Sequence, residues 1–359
     1  MDFNEFPLQN RRILITGGTG SLGKFLVRRI LSGELGTPSK VIVFSRDEAK
    51  QHQMRVDYLH KNKAVTDEVI YRNFVNLLEF RIGDVSRFED ISSAMRDADV
   101  VINAAALKQV PVCEYFPGQA VLTNCIGASN IVRAIEQLRM PVDTVVGVST
   151  DKACKPVNVM GMSKALQERI FIAGNVLNPK TRFLCVRYGN VLASRGSVIP
   201  LFHEQINNGG PLTITDNRMT RFLLSLDEAV DTVFAAIRHG RKGEIFVPQA
   251  PAAKMTDIAQ VLMGKKNLEI KITGIRPGEK LHEVLVSEEE IGRTHKRAGF
   301  FVVSPMLPEL ELEPLPENLS LKRELSSEFD LLDLQGVQGL LTRHKLLEPS
   351  GNENLELLR

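Results

Sequence analysis

Short apolar runs alternate with longer amphipathic stretches from Arg11 to about Asn190. Each run has the length of a strand, and the segment after it has the spacing of an amphipathic helix. Because the runs are apolar on both faces, they predict strands buried on both sides, as in a parallel sheet covered by helices. The predicted strands are RILIT (12–16), KVIVFS (40–45), LLEFRI (77–82), DVVINAA (99–105), TVVGVS (144–149) and FLCVRYGN (183–190).

The pattern loosens after Asn190. Residues 207–222 contain the Gly, Pro, Asn and Asp typical of loops and short extended pieces, whereas 225–240 predicts an amphipathic helix that ends at Gly240. We therefore predict an α/β fold, a doubly wound parallel sheet followed by a smaller C-terminal α/β domain. The predicted division is 1–195 with 223–250 in the first domain, and 196–222 with 251–359 in the second.

Composition and charge exclude several classes of function. The chain has 359 residues and is 43% hydrophobic, which is typical of a globular protein with a large core. Its formal net charge is only +2, so no global basic field predicts binding to nucleic acid or to an anionic membrane. It has no run of about eighteen apolar residues, which predicts a soluble protein.

The four cysteines do not form a metal or disulfide pattern. None belongs to a CxxC motif or accompanies a histidine-rich segment, so we expect neither a metal site nor disulfides. Free cysteines suit a reducing compartment, which predicts a cytoplasmic protein. The cysteines are Cys113, Cys125, Cys154 and Cys185.

A glycine-rich turn follows the first predicted strand. In ILITGGTGSLGKFLVRRIL, Gly17 permits a tight turn, Gly20 lets the backbone approach a pyrophosphate, and Gly23 lets the helix pack closely on the strand. The helix that starts near Ser21 and Leu22 supplies unpaired N–H groups for the phosphates. Glycines occur in other strand-to-helix turns, but this position in the first strand–helix unit predicts a Rossmann-type dinucleotide site.

The end of the second predicted strand indicates which cofactor binds. An NAD enzyme usually ends this strand with an acidic residue that holds the ribose hydroxyls, but here Ser45 and Arg46 come first. A guanidinium suits a 2′-phosphate, and Lys50 adds a second cation one helical turn later. NADP is therefore favoured, while Asp47 and Glu48 leave NAD open.

Residues after the next two strands complete the predicted cofactor site. The carboxyl ends of neighbouring parallel strands meet at one edge of the sheet, so these residues are expected along one crevice. They are Asp84 and Val85 beside the adenine, Ala104, Ala105 and Ala106 along the dinucleotide, and Lys108 beside the nicotinamide and the substrate above it.

Several motifs together resemble those of a known family. In this order and spacing they are similar to the extended short-chain dehydrogenase/reductases that act on UDP-sugars, above all the inverting UDP-N-acetylglucosamine 4,6-dehydratases of bacterial capsule and O-antigen synthesis. Some of these are also credited with 5-epimerisation. The motifs, which extend from about Arg11 to Leu347, are TGGTGSLG, FSRDE, NAAALKQVPVCE, TNCIGASN, STDKACKPVNVMGMSK, RYGNVLASRGSVIPLF, MTRFLLSLDEAV and RPGEKLHE.

The resemblance implies a dehydration in which the cofactor is recycled. Carbon 4 of the hexose loses a hydride to NADP, a base removes the carbon-5 proton, water leaves from carbon 6, and the hydride returns to carbon 6. By the TDK motif of the inverting relatives, Lys152 is the base and Asp151 the donor to the departing hydroxyl, with Thr150 beside them. A lysine acts as a base only if its pKa falls, which burial and cations such as Lys164 or oxidised nicotinamide favour.

Met160 and Lys164 lie four residues apart and so share one face of a helix. Many nucleotide-sugar enzymes place tyrosine and lysine at this spacing, and the resemblance implies that Lys164 binds the nicotinamide ribose. A thioether cannot take a proton, so we expect Met160 to be a packing residue and the acid–base role to have moved to the TDK motif. The group that takes the 4-hydroxyl proton is left open.

The remaining motifs supply the residues implied for the UDP-sugar. Asn190 and Arg195 in YGNVLASRG are expected at the sugar and diphosphate, and Arg221 in MTRF at the substrate loop. Arg276 and Glu279 in RPGEKLHE resemble the pair that holds the diphosphate and the ribose or uracil, since a guanidinium binds phosphate in bidentate fashion. The first domain is then the NADP-binding domain and the second the UDP-sugar-binding domain, and the family suggests a homo-oligomer.

Two other functions fit a nucleotide-sugar fold. A 4-epimerase rotates the keto intermediate and reduces it without loss of water, and a catalytically inactive nucleotide-binding protein keeps the fold, with Met160 marking the loss. The Asp151–Lys152 pair argues against both. An epimerase needs no group that expels the 6-hydroxyl, and an inactive protein has little use for Asp151, Lys152, Lys164 and Arg276 together.

Overall fold

A nine-stranded sheet forms the centre of the protein in a computed structural model that describes residues 5–60, 65–192, 197–310 and 321–348. Seven neighbouring strands are parallel, and two antiparallel strands extend one edge. This confirms the predicted Rossmann-type doubly wound sheet. Across the sheet the strands are Thr294–Arg297, Phe300–Val303, Ile245–Val247, β6 (Arg182–Val186), β5 (Thr144–Val148), β4 (Val100–Asn103), β1 (Arg12–Thr16), β2 (Lys40–Ser45) and β3 (Leu78–Ile82).

The two faces of the sheet carry separate cores, and β1 contributes to both. Ile13 and Ile15 pack with the helices Ser21–Leu31 and Leu226–His239 on one face. Leu14 packs on the other face with the helices Gly127–Leu138 and Val159–Leu177. All three side chains are fully buried, each worth about 1.5–3 kcal/mol, which explains why the apolar pattern is continuous rather than alternating.

Further helices surround the sheet and the C-terminal part. Every helix among the described residues is too short or too polar to cross a bilayer. The further α-helices are Glu48–His60, Val65–Leu77, Phe88–Met95, Val110–Tyr115, Pro117–Ala120, Val198–Asn207, Met255–Met263, Glu288–Ile291 and Leu334–Arg343, with a π-helical stretch at Val121–Ile126 and 3₁₀ turns at Asp151–Ala153 and Pro308–Leu310.

The predicted helix over 225–240 is confirmed with its caps. Ser225 Oγ accepts a hydrogen bond from Glu228 N at 3.1 Å, and the Glu228 carboxylate accepts one from Ser225 N at 2.7 Å. This capping box satisfies backbone donors that a helix start leaves unpaired. The helix runs over Leu226–His239 and is capped by Gly240.

Three small sheets and a third core make up the remaining part. The third core joins three helices through Phe202, Ile258 and Leu341. The predicted domain boundaries stay predictions, and two strands of the predicted second domain, Thr294–Arg297 and Phe300–Val303, pair with the central sheet. The small sheets are Asn190–Val191 with Thr220–Leu224 and Ala252–Lys254, Leu212–Ile214 with Ile270–Ile272, and Val284–Val286 with Leu325–Ser326.

Candidate functional site

A cavity of about 900 Å³ lies along the carboxyl ends of the central strands. Segments that follow β1 to β6 all contribute to its wall, as expected for a ligand site of a doubly wound sheet. Of the predicted site residues, Asp151 lies behind the wall and Arg195 falls outside the described residues. Those that line the cavity are Gly17, Gly20, Ser21, Leu22, Gly23, Ser45, Arg46, Lys50, Asp84, Val85, Ala104, Ala105, Ala106, Lys108, Thr150, Lys152, Met160, Lys164, Asn190, Arg221, Arg276 and Glu279.

The turn after β1 has the close backbone packing that its glycines predict. Gly17 has a φ of +65°, and a Cβ atom on it would come within 2.8 Å of the Ala105 backbone. A Cβ atom on Gly23 would come within 2.5 Å of Gly18 Cα. Neither position accommodates a side chain, so the backbone of the turn itself forms part of the cavity wall.

Two cations follow β2 on the cavity wall, and each is paired with an acidic residue. Arg46 Nη1 lies 3.2 Å from Asp84 Oδ2, and Lys50 Nζ lies 2.7 Å from Asp47 Oδ2. The Arg46 side chain is 61% exposed, so its guanidinium is accessible to a ligand. Burial raises the pKa of Asp84, but hydrogen bonds from Ser86 and the Arg46 charge outweigh burial and hold this pKa below its ordinary value.

The segment after β4 is held by Asn124, which the sequence reasoning quoted only within a motif. Asn124 Oδ1 accepts a hydrogen bond of 2.9 Å from Leu107 N, and Asn124 Nδ2 donates one of 3.1 Å to Leu107 O. Asn124 is fully buried in the π-helical stretch, where its Nδ2 also donates to Ser163 Oγ. These bonds fix the backbone of Leu107, which lies on the cavity wall.

Met160 lies on the cavity wall in the first turn of the helix Val159–Leu177. Its side chain is buried against Cys113 and Ala120. Asn158 caps this helix, since its Oδ1 accepts a hydrogen bond of 2.7 Å from Gly161 N. The surroundings of Met160 are those of a packing residue.

Lys164 lies one turn further along the same helix and also lines the cavity. Its Nζ donates to Val148 O at 2.5 Å and to Gln167 Oε1 at 2.7 Å. Burial lowers the pKa of Lys164 to about 8. The ammonium is therefore charged at neutral pH but loses its proton more readily than an exposed lysine.

Three charged side chains, Asp151, Lys152 and Glu283, meet after β5, and we name them the triad. Lys152 Nζ lies 3.1 Å from Asp151 Oδ1 and 3.0 Å from Glu283 Oε1, and it donates to Asn190 Oδ1 at 3.4 Å. Thr150 Oγ1 donates to Asp151 Oδ1 at 2.9 Å. Lys152 and Glu283 line the cavity, whereas Asp151 is fully buried and is not one of the lining residues.

The charges of the triad correct one expectation. Burial lowers the pKa of Lys152, but the charges of Asp151 and Glu283 outweigh burial and raise this pKa above its ordinary value. Arg221, whose Nε lies 4.0 Å from Glu283 Oε1, opposes the rise only in part. The expected fall of the Lys152 pKa is therefore wrong, because the charges of Asp151 and, next, Glu283 together outweigh burial and the nearby Arg221 cation.

Glu283 is the residue of the triad that the sequence reasoning missed. Glu283 is the last residue of the RPGEKLHE motif, but no feature of the neighbouring sequence indicates that it contacts Lys152. Glu283 N donates to Ser327 Oγ at 2.9 Å, and Ser327 N donates to Glu283 O at 2.8 Å. Burial raises the pKa of Glu283, and the Lys152 charge offsets this only partly.

The RPGEK loop is anchored on the start of the helix Val159–Leu177. Asn158 Nδ2 donates to Gly278 O at 2.6 Å, and Gly278 has a φ of +79° that favours glycine. Within the loop, Glu279 N donates to Arg276 O at 3.1 Å. Arg276 is exposed, so the loop brings a solvated guanidinium and the Glu279 carboxylate to the cavity wall.

A buried ion network fixes the segment that carries Glu283. Arg187, which follows β6, is fully buried and pairs with Glu168 at 2.7 Å and with Glu290 at 2.8 Å. Its Nη1 also donates to Leu285 O at 2.8 Å. These bonds join the segment from Glu283 to Glu290 to the central sheet, and the sequence reasoning did not identify them.

The described residues contain no cluster of side chains that could bind a metal ion. Within residues 5–60, 65–192, 197–310 and 321–348, no group of three or more His, Cys, Asp or Glu side chains is arranged to hold a metal ion. The four cysteines are free and buried.

Comparisons with known proteins give consistent matches over most of the chain. The family described as polysaccharide biosynthesis protein matches residues 13–305, a range that contains the whole triad. A UDP-glucose 4-epimerase of Rickettsia typhi is 44% identical over 298 residues, 81% of this chain and 82% of the relative. An inverting UDP-N-acetylglucosamine 4,6-dehydratase of Campylobacter jejuni is 43% identical over 300 residues, 83% and 84% respectively. The X-ray structure of Pen from Bacillus thuringiensis matches with a TM-score of 0.83 at 29% identity and covers 94% of this chain and 99% of that one.

Proposed function

Because the chain belongs to the polysaccharide biosynthesis protein family, as its sequence predicts, we propose that it is a UDP-N-acetylglucosamine 4,6-dehydratase that inverts carbon 5. Its product is then a UDP-2-acetamido-2,6-dideoxy-4-hexulose, used for bacterial surface polysaccharide. One observation carries this proposal. A lysine flanked by two carboxylates faces the cavity, while the position expected for tyrosine holds the packed Met160.

The glycine turn and the cations after β2 support a nicotinamide cofactor, and we propose NADP rather than NAD. The cradle at Gly17 and Gly23 has no room for a Cβ atom, and the exposed Arg46 guanidinium with Lys50 suits a 2′-phosphate. NADP held by these residues would supply reversible hydride transfer, from carbon 4 of the sugar and back to carbon 6. Lys164 then binds the nicotinamide ribose and adds positive charge that favours oxidation of the sugar.

The UDP-sugar occupies the part of the cavity between the triad and the RPGEK loop in this proposal. Arg276 binds the diphosphate and Glu279 the ribose or uracil, since both line the cavity on the anchored loop. Asn190, Arg221 and Lys108 also line the cavity and contact the sugar end. Arg195, which is expected at the sugar and diphosphate, lies outside the described residues.

Lys152 is the base that removes the carbon-5 proton in the proposed reaction. The ketone formed at carbon 4 makes this proton acidic, and elimination of the 6-hydroxyl follows. Asp151, which the family resemblance makes the donor to the departing hydroxyl, lies behind Lys152 and contacts Thr150. It therefore orients Lys152 through the contact of 3.1 Å between Asp151 Oδ1 and Lys152 Nζ.

Incubation of the purified protein with UDP-N-acetylglucosamine in heavy water tests the proposed function. Loss of one water molecule with deuterium at carbon 5, measured by mass and proton spectra, is the expected result. A 4-epimer of unchanged mass would instead identify an epimerase. Unchanged substrate despite bound cofactor would identify an inactive nucleotide-binding protein.

The variant Lys152→Ala tests the assignment of the base. Carbon-5 exchange is expected to fall about 10²–10⁴-fold, the usual contribution of a positioned general base, while cofactor affinity stays the same. Lys155→Ala is the matched control, because Lys155 is three residues away and forms a partly exposed ion pair with Glu324. Retained exchange in Lys152→Ala would refute its role.

A UDP-sugar 4-epimerase is the second candidate, favoured by the name of the Rickettsia typhi relative. In that reaction the keto intermediate turns over and is reduced on its other face, with no proton removed from carbon 5. The cavity-facing Lys152 and Glu283 then have no carbon-5 proton to remove and no 6-hydroxyl to expel. We rank the dehydratase first for this reason.

We also propose that the protein is a cytoplasmic homo-oligomer. Tyr115 and Phe116 are 83% and 59% exposed, and Leu122 and Leu166 on neighbouring helices are also exposed. An apolar surface of this kind supports association between copies of the chain. Light scattering of the purified protein measures its mass, and a single-chain mass would contradict the proposal.

A further inference from the structure

Glu283 has the properties of a reacting group, and the proposed reaction as described above assigns it no step. Its side chain is almost fully buried and lines the cavity, with Oε1 3.0 Å from Lys152 Nζ. Its other oxygen, Oε2, has no hydrogen-bond partner among the described residues, and the same is true of Asp151 Oδ2. A buried carboxylate oxygen without a partner costs free energy. Of these two carboxylates, Glu283 is the one on the cavity wall, where a substrate group can pair with it.

Four charged groups face Glu283 from the surrounding elements. Asp151 and Lys152 come from the turn after β5, Arg221 from the strand Thr220–Leu224, and Lys280 from its own segment. The neighbouring His282 is turned toward Thr220, with Nδ1 2.8 Å from its Oγ1. Within the triad, Lys152 is the one group that contacts both carboxylates, so a proton that moves between Lys152 and Glu283 leaves the net charge of the triad unchanged.

The base role of Lys152 needs an acceptor for the proton that the ammonium carries. Asp151 and Glu283 are both within 3.1 Å of its Nζ. Asp151 Oδ1 already accepts the Thr150 hydroxyl at 2.9 Å, and Asp151 is not on the cavity wall. Burial raises the pKa of Glu283 and thus favours its protonated form. Glu283 is therefore the better acceptor, because it lines the cavity and because burial favours its protonated form.

We propose that Glu283 is a catalytic proton carrier, which takes a proton from Lys152 before carbon 5 reacts and gives it to the hydroxyl that leaves carbon 6. This inference rests on the proposed dehydration. First, the Lys152 N–H bond breaks, its electron pair stays on nitrogen, and an O–H bond forms on Glu283. The lone pair on the Lys152 nitrogen then takes the carbon-5 proton. The electron pair of the broken carbon–hydrogen bond forms the double bond between carbons 5 and 6, and the hydroxyl leaves carbon 6. The Glu283 proton completes the water molecule, so the triad ends with the protons it had at the start.

The dependence of carbon-5 exchange on pH distinguishes this role from a structural one. In the wild type, Lys152 and Glu283 together hold one proton, so internal transfer adds no pH dependence of its own between about pH 6 and pH 9. Lys164, whose pKa is about 8, titrates in the same range in the wild type and in every variant, so the informative quantity is the ratio of the variant rate to the wild-type rate at each pH. In Glu283→Gln the amine must lose its proton to solvent instead. The variant lacks one of the two charges that raise the Lys152 pKa, so this pKa falls and the ammonium loses its proton to solvent as the pH rises. We therefore expect a loss of about 10²-fold or more near pH 6 that shrinks as pH rises.

The experiment measures deuterium exchange and water loss with UDP-N-acetylglucosamine from pH 6 to pH 9 for the wild type and for Glu283→Gln, Glu283→Asp and Glu288→Gln. Glu288 is exposed in the same chain segment and is the matched control, with a wild-type profile expected. Glu283→Asp should recover the wild-type pH profile at reduced rate, because it restores a carboxylate. NADPH titration checks that each variant binds cofactor.

Two outcomes would overturn the inference while the proposed function stands. One is a Glu283→Gln rate reduced equally at every pH, which is the signature of a structural role, and the other is a rate equal to that of the wild type. Absence of water loss in the wild type itself would instead overturn the proposed function, and the proton-carrier role with it.

Discussion

The glycine turn and the triad lie on one cavity but are built in different ways. The turn is seven consecutive residues, Gly17 to Gly23, and its geometry follows from residues that leave no room for a Cβ atom. The triad joins Asp151 and Lys152 to Glu283, which comes from a different part of the chain. A backbone site for phosphates is thus local in sequence, whereas the acid–base site depends on how distant segments pack.

Arg187→Met gives the largest expected effect, because it breaks the packing that positions Glu283. The change leaves Glu168 and Glu290 buried without their cation, and the free energy of unfolding should fall by about 3–5 kcal/mol. Urea unfolding monitored by circular dichroism measures this. In protein that remains folded, carbon-5 exchange should fall more than NADPH affinity, since the glycine turn does not depend on Arg187.

Arg323→Met is the matched control for Arg187→Met. Arg323 pairs with Asp330 at 2.9 Å, but both side chains are largely exposed, so the expected change is within about 1 kcal/mol. Equal small effects of the two variants would contradict the importance of the buried network. An equal loss of exchange and cofactor affinity in Arg187→Met would remove the contrast between the turn and the triad.

Arg46→Ala tests the local site and has an intermediate expected effect. A charge-assisted hydrogen bond contributes about 1.5–3 kcal/mol, so affinity for NADPH should fall about 10–100-fold. Affinity for NADH should change little, because NADH has no 2′-phosphate. Fluorescence titration of both cofactors measures the ratio.

Arg87→Ala serves as the control for Arg46→Ala. Arg87 is exposed, lies near the same strand ends and contacts Asp90 at 3.8 Å, and it is not on the cavity wall. Tighter binding of NADH than NADPH by the wild type would refute the NADP preference. An equal loss for both cofactors would show that Arg46 acts through Asp84 and not through a phosphate.

The sequence predicted the parts of the fold that rest on local chemistry. The continuous apolar runs predicted β1 to β6, since strands buried on both faces need apolar residues throughout. Ser225 and Gly240 predicted the helix between them through its caps. Two strands of the predicted second domain, Thr294–Arg297 and Phe300–Val303, were not anticipated at the sheet edge, because pairing is settled by contacts between distant residues.

The candidate site also has residues that the sequence predicted and residues that it did not. Nearly all the predicted residues line one cavity, because carboxyl ends of parallel strands meet at one edge. Glu283, Asn124 and Arg187 were missed as individuals, since each acts through a partner far away in sequence. The direction of the Lys152 pKa was wrong in part for the same reason, because the distant Glu283 adds its charge to that of Asp151 and the two together raise this pKa.

Met160→Leu gives the smallest expected effect and tests whether the thioether takes part in the chemistry. Met160 is buried against Cys113 and Ala120, and a hydrophobic replacement of similar volume usually costs less than about 1.5 kcal/mol. Carbon-5 exchange should therefore stay within a few-fold of the wild type. Met160→Tyr restores the phenol of other nucleotide-sugar enzymes but overfills this position, at a cost of about 1–3 kcal/mol, and should give no gain in rate. A stable Met160→Leu protein without exchange, or a faster Met160→Tyr protein, would show that acid–base chemistry has not moved wholly to the triad.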